Sequence, residues 1–436
     1  MLVSSALERH FETVLATGEG FFAEHAGELA NACWGMARRF HKGGKLLVYS
    51  GGGADFSDAQ HNAVEFMHPV IVGKRALPAV SVRNRAHLPI LAGPHDITMG
   101  VTGGALDSLP AGLMVAFGDS GSSDALHSFA VGAGDHLVAQ EIQETAYHEL
   151  WELVHVFFEH EGLLAEGCTD DVCITCGDVA LQAAVVKIVG STALVRTAQG
   201  EEEADLGLLD DVRPGELLLV HGGVALERVK PIDTFSHEFY PFLTSQAVDV
   251  QGVLADVVAS VRMKWAEVAA MRRSTDMAEV REVLEVLRTR VAEGAQVLIF
   301  GNGGSATDSA DFAADLREIG IRAFDLCEEP ALVSAVANDI GFDEIFARQV
   351  IALGNPGDVV VGISTSGRSG NVARGMQQAR AQGLTTIALA GYGGGNWVDA
   401  DYVDHLVITD SSYIPRIQEA QATIYHGLVR GLEEGS

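Results

Sequence analysis

The sequence predicts an α/β protein with two lobes, each a parallel sheet flanked by helices, separated by a small β-barrel module. The string QEIQETAYH at 140–148 returns as QEAQATIYH at 418–426. Upstream of each copy lie an apolar strand, a glycine-rich turn and a helix, which indicates a duplicated lobe. Between the copies, residues 173–229 alternate apolar and polar positions, which is typical of short strands. We therefore place the lobes at 1–163 and 236–436 and the module at 164–235.

Composition and charge exclude several classes of protein. The chain has 436 residues, 47% of them hydrophobic and 20% charged, so it can bury several cores. A net charge of −30 argues against nucleic acid or an anionic membrane as a partner, because their phosphates would be repelled. The first residues do not resemble a signal peptide, and no apolar run is long enough to span a bilayer. These features predict a cytoplasmic protein.

The N-terminal lobe is expected to be the smaller one. Its first strand leads into a Gly51–Gly53 turn, and a later strand ends in the loop that contains Ser120, Ser122 and Ser123. We match that loop with a serine-rich loop of the C-terminal lobe, at 364–369, which also follows a predicted strand. Far fewer residues separate Ser120 from Gln140 than Ser366 from Gln418. We therefore expect the first sheet to be trimmed by about one helix and two strands relative to the second.

A candidate metal and proton-transfer set occurs in the N-terminal lobe. His61 and Glu65 are four residues apart on a predicted helix, and Gln140 and His148 are eight apart on a later one, so each pair shares a helix face. Two nitrogens and two oxygens can hold zinc or a similar divalent ion. Glu65 as base and His148 as acid also suit aldose–ketose exchange beside a bound sugar phosphate. The alternative for such spacing is a solvated or ion-paired helix face.

The C-terminal lobe repeats this set with harder ligands. The matching metal positions are Asp311, Asp315, Gln418 and His426. Aspartates stand where the first lobe has His61 and Glu65, which makes the set richer in oxygen. Asp315 and His426 are the predicted counterparts of the catalytic pair.

Two loops of the C-terminal lobe are predicted to bind a phosphate. Gly301–Ser305 and Ser364–Ser369 each follow an apolar strand and precede a helix. Backbone amides at a helix N-terminus attract anions, and an open α/β sheet binds ligands at the carboxyl ends of its strands. The predicted phosphosugar ligands are Ser305, Ser364, Thr365, Ser366 and Ser369, with Ser120, Ser122 and Ser123 in the first lobe. The alternative is a capped helix after an ordinary loop.

The middle stretch carries clustered cysteines. Cys168, Cys173 and Cys176 lie close together, which in a reducing compartment indicates metal binding or redox chemistry. Cys33 and Cys327 stand alone and are expected to be inert core thiols.

Residues 292–430 resemble the phosphoheptose isomerase family of the SIS fold. The strings that carry the resemblance are GNGGS (301–305), ANDIGFDEIFARQV (337–350), GISTSGRSGNV (362–372) and RIQEAQATIYH (416–426). The resemblance implies flavodoxin-like sheets, interconversion of sedoheptulose 7-phosphate and a heptose 7-phosphate, and zinc bound between subunits. Asp311 and Asp315 replace the family's His and Glu, and Pro415 replaces an Asp.

The N-terminal lobe resembles the same family more weakly, but it keeps the family's metal residues at His61, Glu65, Gln140 and His148. Since such sites form between subunits, we hypothesise that this metal set faces the phosphate loops of the C-terminal lobe and completes one composite site. We also expect a homo-oligomer.

Residues 173–229 resemble the HypC/HupF hydrogenase-maturation chaperones, through CITCGDVALQAAVVKIV and an RPGxxxLVHxG string. The resemblance implies a cysteine thiolate that transiently carries the iron centre of a [NiFe]-hydrogenase, with the large-subunit precursor as partner. Cys173 and Cys176 are the candidate thiols, and His221 matches the family's VH position. Half of a zinc site and a redox pair remain alternatives for the two cysteines.

The whole chain is then predicted to be a hydrogenase-assembly accessory protein whose lobes bind and isomerise a sugar phosphate. The rival is a scaffold that binds the ligand without turnover.

Overall fold

The computed structural model of the chain covers most of both lobes and parts of the module. The residues that it describes are 5–51, 56–69, 74–102, 112–118, 125–160, 163–164, 181–190, 192–197, 200–207, 209, 212–221, 224–228 and 250–435. Within them, no helix is both long enough and apolar enough to cross a membrane.

The N-terminal lobe is a parallel sheet of five strands in the order β2-β1-β3-β4-β5. Its strands are β1 (Leu46–Tyr49), β2 (Ala79–Ser81), β3 (Ile97–Gly100), β4 (Leu113–Gly118) and β5 (His127–Ala130). Its helices are α1 (Ala6–His41), α2 (Phe56–Met67), α3 (Leu88–Leu91) and α4 (His136–Glu159). A capping box formed by Ser5 and Glu8 begins α1, and the Asp135 side chain caps α4.

The middle module forms a closed barrel in which neighbouring strands follow the order β10-β8-β7-β6-β9. The strands are β6 (Leu181–Val189), β7 (Thr192–Thr197), β8 (Gly200–Asp205), β9 (Leu217–His221) and β10 (Val224–Arg228). Small and branched side chains such as Ala183, Val195 and Leu218 fill its interior. Alternation of these side chains with outward ones matches the pattern in the sequence.

The C-terminal lobe repeats the first sheet with the strand order β12-β11-β13-β14-β15. Its strands are β11 (Val297–Phe300), β12 (Ala323–Asp325), β13 (Val359–Ser364), β14 (Thr385–Ala390) and β15 (His405–Ile408). Its helices are α5 (Val250–Ser274), α6 (Met277–Ala292), α7 (Gly304–Glu318), α8 (Pro330–Asp339), α9 (Ile345–Leu353), α10 (Gly370–Gln382) and α11 (Ile414–Glu434). Both sheets are parallel and have flavodoxin-like order, as the sequence predicts.

The expectation of a smaller first sheet is wrong. Both sheets have five strands in the same order, so β3 corresponds to β13, and β4 corresponds to β14. The sequence comparison had matched two serine-rich loops instead of strand positions, and it paired β4 with β13. The first lobe is shorter in its connections, since residues 101–112 join β3 to β4 whereas 365–384 join β13 to β14.

The two lobes exchange helices. α5 packs Val253, Val257 and Trp265 into the core of the N-terminal lobe. Conversely, Leu7 and Phe11 at the start of α1 belong to the core of the C-terminal lobe. In addition, α2 packs on α7 and α4 packs on α11, so the four helices that carry the predicted metal residues meet at the interface between the lobes.

Candidate functional site

The two predicted phosphate loops lie side by side. Their strands β11 and β13 are adjacent and parallel, with Phe300 opposite Gly362. The Asn302 and Asn371 side-chain amides exchange two hydrogen bonds of 2.8 Å, which tie one loop to the other. This edge lies between the first and third strands of the sheet, where flavodoxin-like sheets reverse their winding direction and bind ligands.

Hydroxyl and amide groups line the second loop. Ser364 Oγ and Ser369 Oγ are 3.1 Å apart, and the backbone N–H of Gly367 donates to Ser364 Oγ over 3.2 Å. Gly367 has φ +59°, a left-handed conformation that glycine adopts without strain. Thr365, Ser366 and Ser369 are half-buried, and Ser305 is buried in the first turn of α7.

The residues that precede α7 and α10, Gly303 and Ser369, make no side-chain cap hydrogen bond, so the backbone amides of Gly304 and Gly370 are available to an anion.

Four buried side chains from both lobes converge at the interface, and we call them the histidine cluster: His61, Glu65, His148 and Gln418. His61 Nε2 lies 3.4 Å from His148 Nε2 and 3.3 Å from Gln418 Nε2. Glu65 Oε1 lies 3.8 Å from His61 Nε2, as expected for neighbours one helical turn apart. Gln418 comes from α11, so the C-terminal lobe completes a cluster that begins in the N-terminal lobe.

The histidine cluster touches the first phosphate loop. A Cβ atom added to Gly304, the first residue of α7, would lie 2.8 Å from His61 Nε2 and 1.8 Å from Gln418 Nε2. Any side chain at this position would have to displace Gln418 and His61. The loop of the C-terminal lobe therefore directly adjoins the imidazole of the N-terminal lobe.

Burial sets the charges of the cluster. Burial, with the neighbouring His148, lowers the pKa of His61 well below its usual value, so its imidazole is neutral. Burial raises the pKa of Glu65 to about 7; His148 opposes this rise, while the carboxylates of Glu152 and Glu419 reinforce it. A neutral imidazole and a carboxyl that titrates near pH 7 are groups that can bind a metal or transfer a proton.

The donor set of the cluster fits zinc. Among the described residues, Glu65 Oε2 and Gln418 Oε1 are buried without a hydrogen-bond partner. His61, Glu65 and His148 place potential ligand atoms within 4.8 Å of one another. Two imidazoles with oxygen ligands suit zinc, and a cation between them would satisfy the orphaned oxygens.

The glutamine beside His61 comes from the C-terminal lobe. The sequence grouped Gln140 with His61 and Gln418 with His426, whereas in the structure Gln418 lies beside His61 and Gln140 Nε2 donates to Asp58 Oδ1 over 3.2 Å. Gln418 reaches His61 because α4 and α11 pack antiparallel, as the contacts His148–Glu419 and Glu141–His426 show.

The second predicted set does not gather around one point. His426 Nε2 lies 3.4 Å from Asp315 Oδ2, but Asp311 accepts a hydrogen bond from Ser57 Oγ. Among the described residues, Asp311 joins no group of three potential metal ligands. Burial and the nearby Asp58 raise the pKa of Asp311 well above its usual value, which favours a protonated carboxyl there.

Several predicted residues lie outside the described ones: Ser120, Ser122, Ser123, Cys173 and Cys176. The backbone of His221 ends strand β9 of the barrel.

Cys33 is buried in the N-terminal core, and burial raises its pKa, as expected for an inert thiol. The half-buried Cys327 Sγ lies 3.3 Å from the carbonyl oxygen of Gly301.

Sequence reasoning missed Glu141 and Glu419, which hydrogen-bond to the histidines of the opposite lobe. A signal for them was present, because both copies of the repeated string begin with Gln-Glu. Gly304 was recognised as part of a turn, but its contact with His61 depends on how the lobes pack.

Comparison with known proteins identifies two parts of the chain. The SIS domain profile matches residues 264–391, and the HupF/HypC family profile matches residues 179–234. Both resemblances seen in the sequence are thereby confirmed. The C-terminal domain of glucosamine-fructose-6-phosphate aminotransferase from Francisella tularensis shares the fold, with a TM-score of 0.52 at 8% identity over 98% of this chain and 94% of that one.

Enzymes named phosphoheptose isomerase are more closely similar in sequence. The one from Geobacter sulfurreducens is 40% identical over 180 residues, which are 40% of this chain and 94% of that protein. The one from Thermodesulfovibrio yellowstonii is 40% identical over 161 residues, which are 36% of this chain and 79% of that protein. The chain therefore belongs to the phosphoheptose isomerase family, whose members are sugar-phosphate isomerases.

Proposed function

We propose that the chain interconverts an aldose and a ketose phosphate, of the sedoheptulose 7-phosphate type, at one composite site. The phosphate loops of the C-terminal lobe hold the phosphate, and the histidine cluster carries out the proton transfers. The observation that supports this proposal is the contact between Gly304 in the first loop and both His61 and Gln418. Through this contact, the anion-binding N-terminus of α7 in the C-terminal lobe lies close to the base–acid pair of the N-terminal lobe.

Neutral donors hold the phosphate in this proposal, which suits a protein that is strongly acidic overall. Backbone amides at the starts of α7 and α10 and the hydroxyls of Ser305, Ser364, Thr365, Ser366 and Ser369 supply the donors. Anchoring the phosphate leaves the carbonyl end of the sugar free to reach Glu65 and His148, which converts the proton transfers into steps within one complex.

Two proton transfers complete the isomerisation. Glu65 removes the proton from the carbon next to the carbonyl, and His148, in its doubly protonated form, donates a proton from Nε2 to the carbonyl oxygen, which yields an enediol and leaves His148 neutral. Glu65 then returns its proton to the neighbouring carbon while the other hydroxyl gives its proton back to His148. A base whose pKa is near 7 is half-ionised at neutral pH, which suits this shuttle.

His61, Glu65 and Gln418 would hold zinc in this proposal, and His148 Nε2 would be a fourth ligand whenever it carries no proton. When bound, the ion polarises the oxygen atoms of the substrate and stabilises the charge that develops on them. Asp311, Asp315 and His426 have no part in the proposed site.

The decisive assay is incubation of the full chain with sedoheptulose 7-phosphate and zinc, followed by detection of aldose product. His148→Ala should lower kcat by about 10²- to 10⁴-fold, the usual contribution of one acid–base group. His136→Ala, on the exposed first turn of the same helix, is the matched control and should retain activity. Ligand binding without product in the wild type would favour the rival function, a scaffold that does not catalyse.

For the module we propose a role in hydrogenase maturation. The match of residues 179–234 to the HupF/HypC family supports it. Cys173 or Cys176 would carry an iron centre transiently, His221 stands at the family's VH position, and the partner would be a hydrogenase large-subunit precursor. A pull-down of that precursor should be lost in one of the variants Cys173→Ala and Cys176→Ala. Equal recovery by both variants and the wild type would exclude the thiol role.

A further inference from the structure

We propose that Glu419 is a positioning residue, which fixes the tautomer and orientation of His148 across the lobe interface. The inference rests on the proposed function of the histidine cluster, in which His148 binds the metal. Glu419 belongs to α11 of the C-terminal lobe, whereas His148 belongs to α4 of the N-terminal lobe.

The contact between the two side chains determines where the imidazole proton lies. His148 Nδ1 is 3.0 Å from Glu419 Oε1, and both side chains are fully buried. An ionised carboxylate can only accept a hydrogen bond, so Nδ1 carries the proton. His148 Nε2 is then left with its lone pair, and it is the atom that lies 3.4 Å from His61 Nε2.

Glu419 is itself held from two sides. Arg416 donates to the same Oε1 atom, and Arg272 Nη2 donates to the Glu419 backbone oxygen over 3.1 Å. The Arg416 guanidinium is always charged and is buried against Glu419, so the two side chains form an ion pair in which the Glu419 carboxylate is ionised. A fixed, charged carboxylate is what a histidine needs to keep one ring orientation.

The same kind of contact occurs with the roles of the two lobes reversed. Glu141 of α4 lies 2.9 Å from His426 Nδ1, and it also lies 2.7 Å from His10 Nε2. Each lobe therefore supplies the carboxylate that orients the histidine of the other lobe. Glu141 is consequently a matched control, because it has the same chemistry, burial and interface but contacts no member of the histidine cluster.

The first test compares zinc affinity in two full-length variants, measured by competition with a chelating dye. Loss of such a hydrogen-bonded carboxylate weakens metal binding by about 10- to 100-fold, so Glu419→Gln should show a loss of that size. Glu141→Gln should remain close to the wild type. Unchanged affinity in Glu419→Gln, or the same loss in both variants, would overturn the proposal.

The second test needs no variant of Glu419. It can therefore be done even if Glu419→Gln fails to fold because Arg416 is left without its ion-pair partner. Nitrogen-15 spectra of histidine in the zinc-free wild type should show His148 with a protonated Nδ1 and an unprotonated Nε2. The signal is assigned by its loss in His148→Gln. The opposite tautomer would refute the role of Glu419, whereas a wild type that binds no zinc but shows the expected tautomer would refute only the metal site.

Discussion

At the scale of single residues, Gly304 is more important to the geometry of the proposed site than any charged side chain around it. It is the first residue of α7, and it lies against both His61 and Gln418. The absence of a side chain at this position lets the first phosphate loop and the histidine cluster come together.

We expect Gly304→Ala to reduce isomerase activity and zinc affinity by at least about tenfold, because the added methyl group would displace His61 and Gln418. Turnover of sedoheptulose 7-phosphate and dye competition would measure the two effects. Gly27→Ala, at a helical position of α1 with open space around it, is the matched control and should leave both unchanged. A fully active Gly304→Ala enzyme would contradict the composite site.

At the scale of elements, α5 is the helix whose position the sequence did not reveal. Trp265 stacks on Phe22 with ring centroids 5.0 Å apart, and its Nε1 donates to Glu19 over 3.0 Å. The helix precedes the C-terminal sheet in sequence but is part of the N-terminal core.

Trp265→Ala should therefore destabilise the protein by about 3–5 kcal/mol, the usual cost of removing a large buried side chain. Urea denaturation gives the free energy of unfolding. Arg262→Ala, on the exposed face of the same helix, should change it by less than about 0.5 kcal/mol. Similar small effects of both substitutions would mean that α5 does not pack in this core.

The start of α1 makes stability depend on pH. Ser5 and Arg281 hydrogen-bond to Glu8 and lower its pKa from 4.5 to about 2. A lowered pKa in the folded state adds stability above pH 4.5, and this contribution is lost as the pH falls towards 2. Glu8→Gln should cost about 1 kcal/mol at pH 7, as loss of a helix cap does, and the difference from the wild type should shrink between pH 5 and pH 3. A difference that stays constant over this range would show that the Glu8 charge is unimportant.

At the scale of the whole molecule, the two lobes contribute different residues to one interface. The histidine cluster gathers on one side of it, whereas Asp311 and Asp315 replace the first two ligands on the other. We therefore expect one zinc ion per chain in metal analysis of the purified protein, and loss of turnover after chelation with recovery on adding zinc back. Two ions per chain would show that the second set also binds metal.

The sequence predicted the two parallel sheets and the adjacent strands that precede the two phosphate loops, because these depend on local patterns and on the repeated strings. It placed His61, Glu65 and His148 together, since helical spacing and one shared lobe determine their proximity. It could not place Gln418, Glu419 or Gly304, because their contacts depend on the antiparallel packing of α4 on α11. The trimmed sheet was mispredicted because serine-rich loops were taken as markers of strand position.

The exchange of α5 has a consequence for the barrel. The chain leaves the N-terminal lobe at the end of α4, passes through the barrel and returns to the same lobe in α5, which packs against α4. Topologically, the barrel is an insertion into one body and not a spacer between two. Evolution could therefore acquire or discard the barrel without separating the two lobes that share the interface.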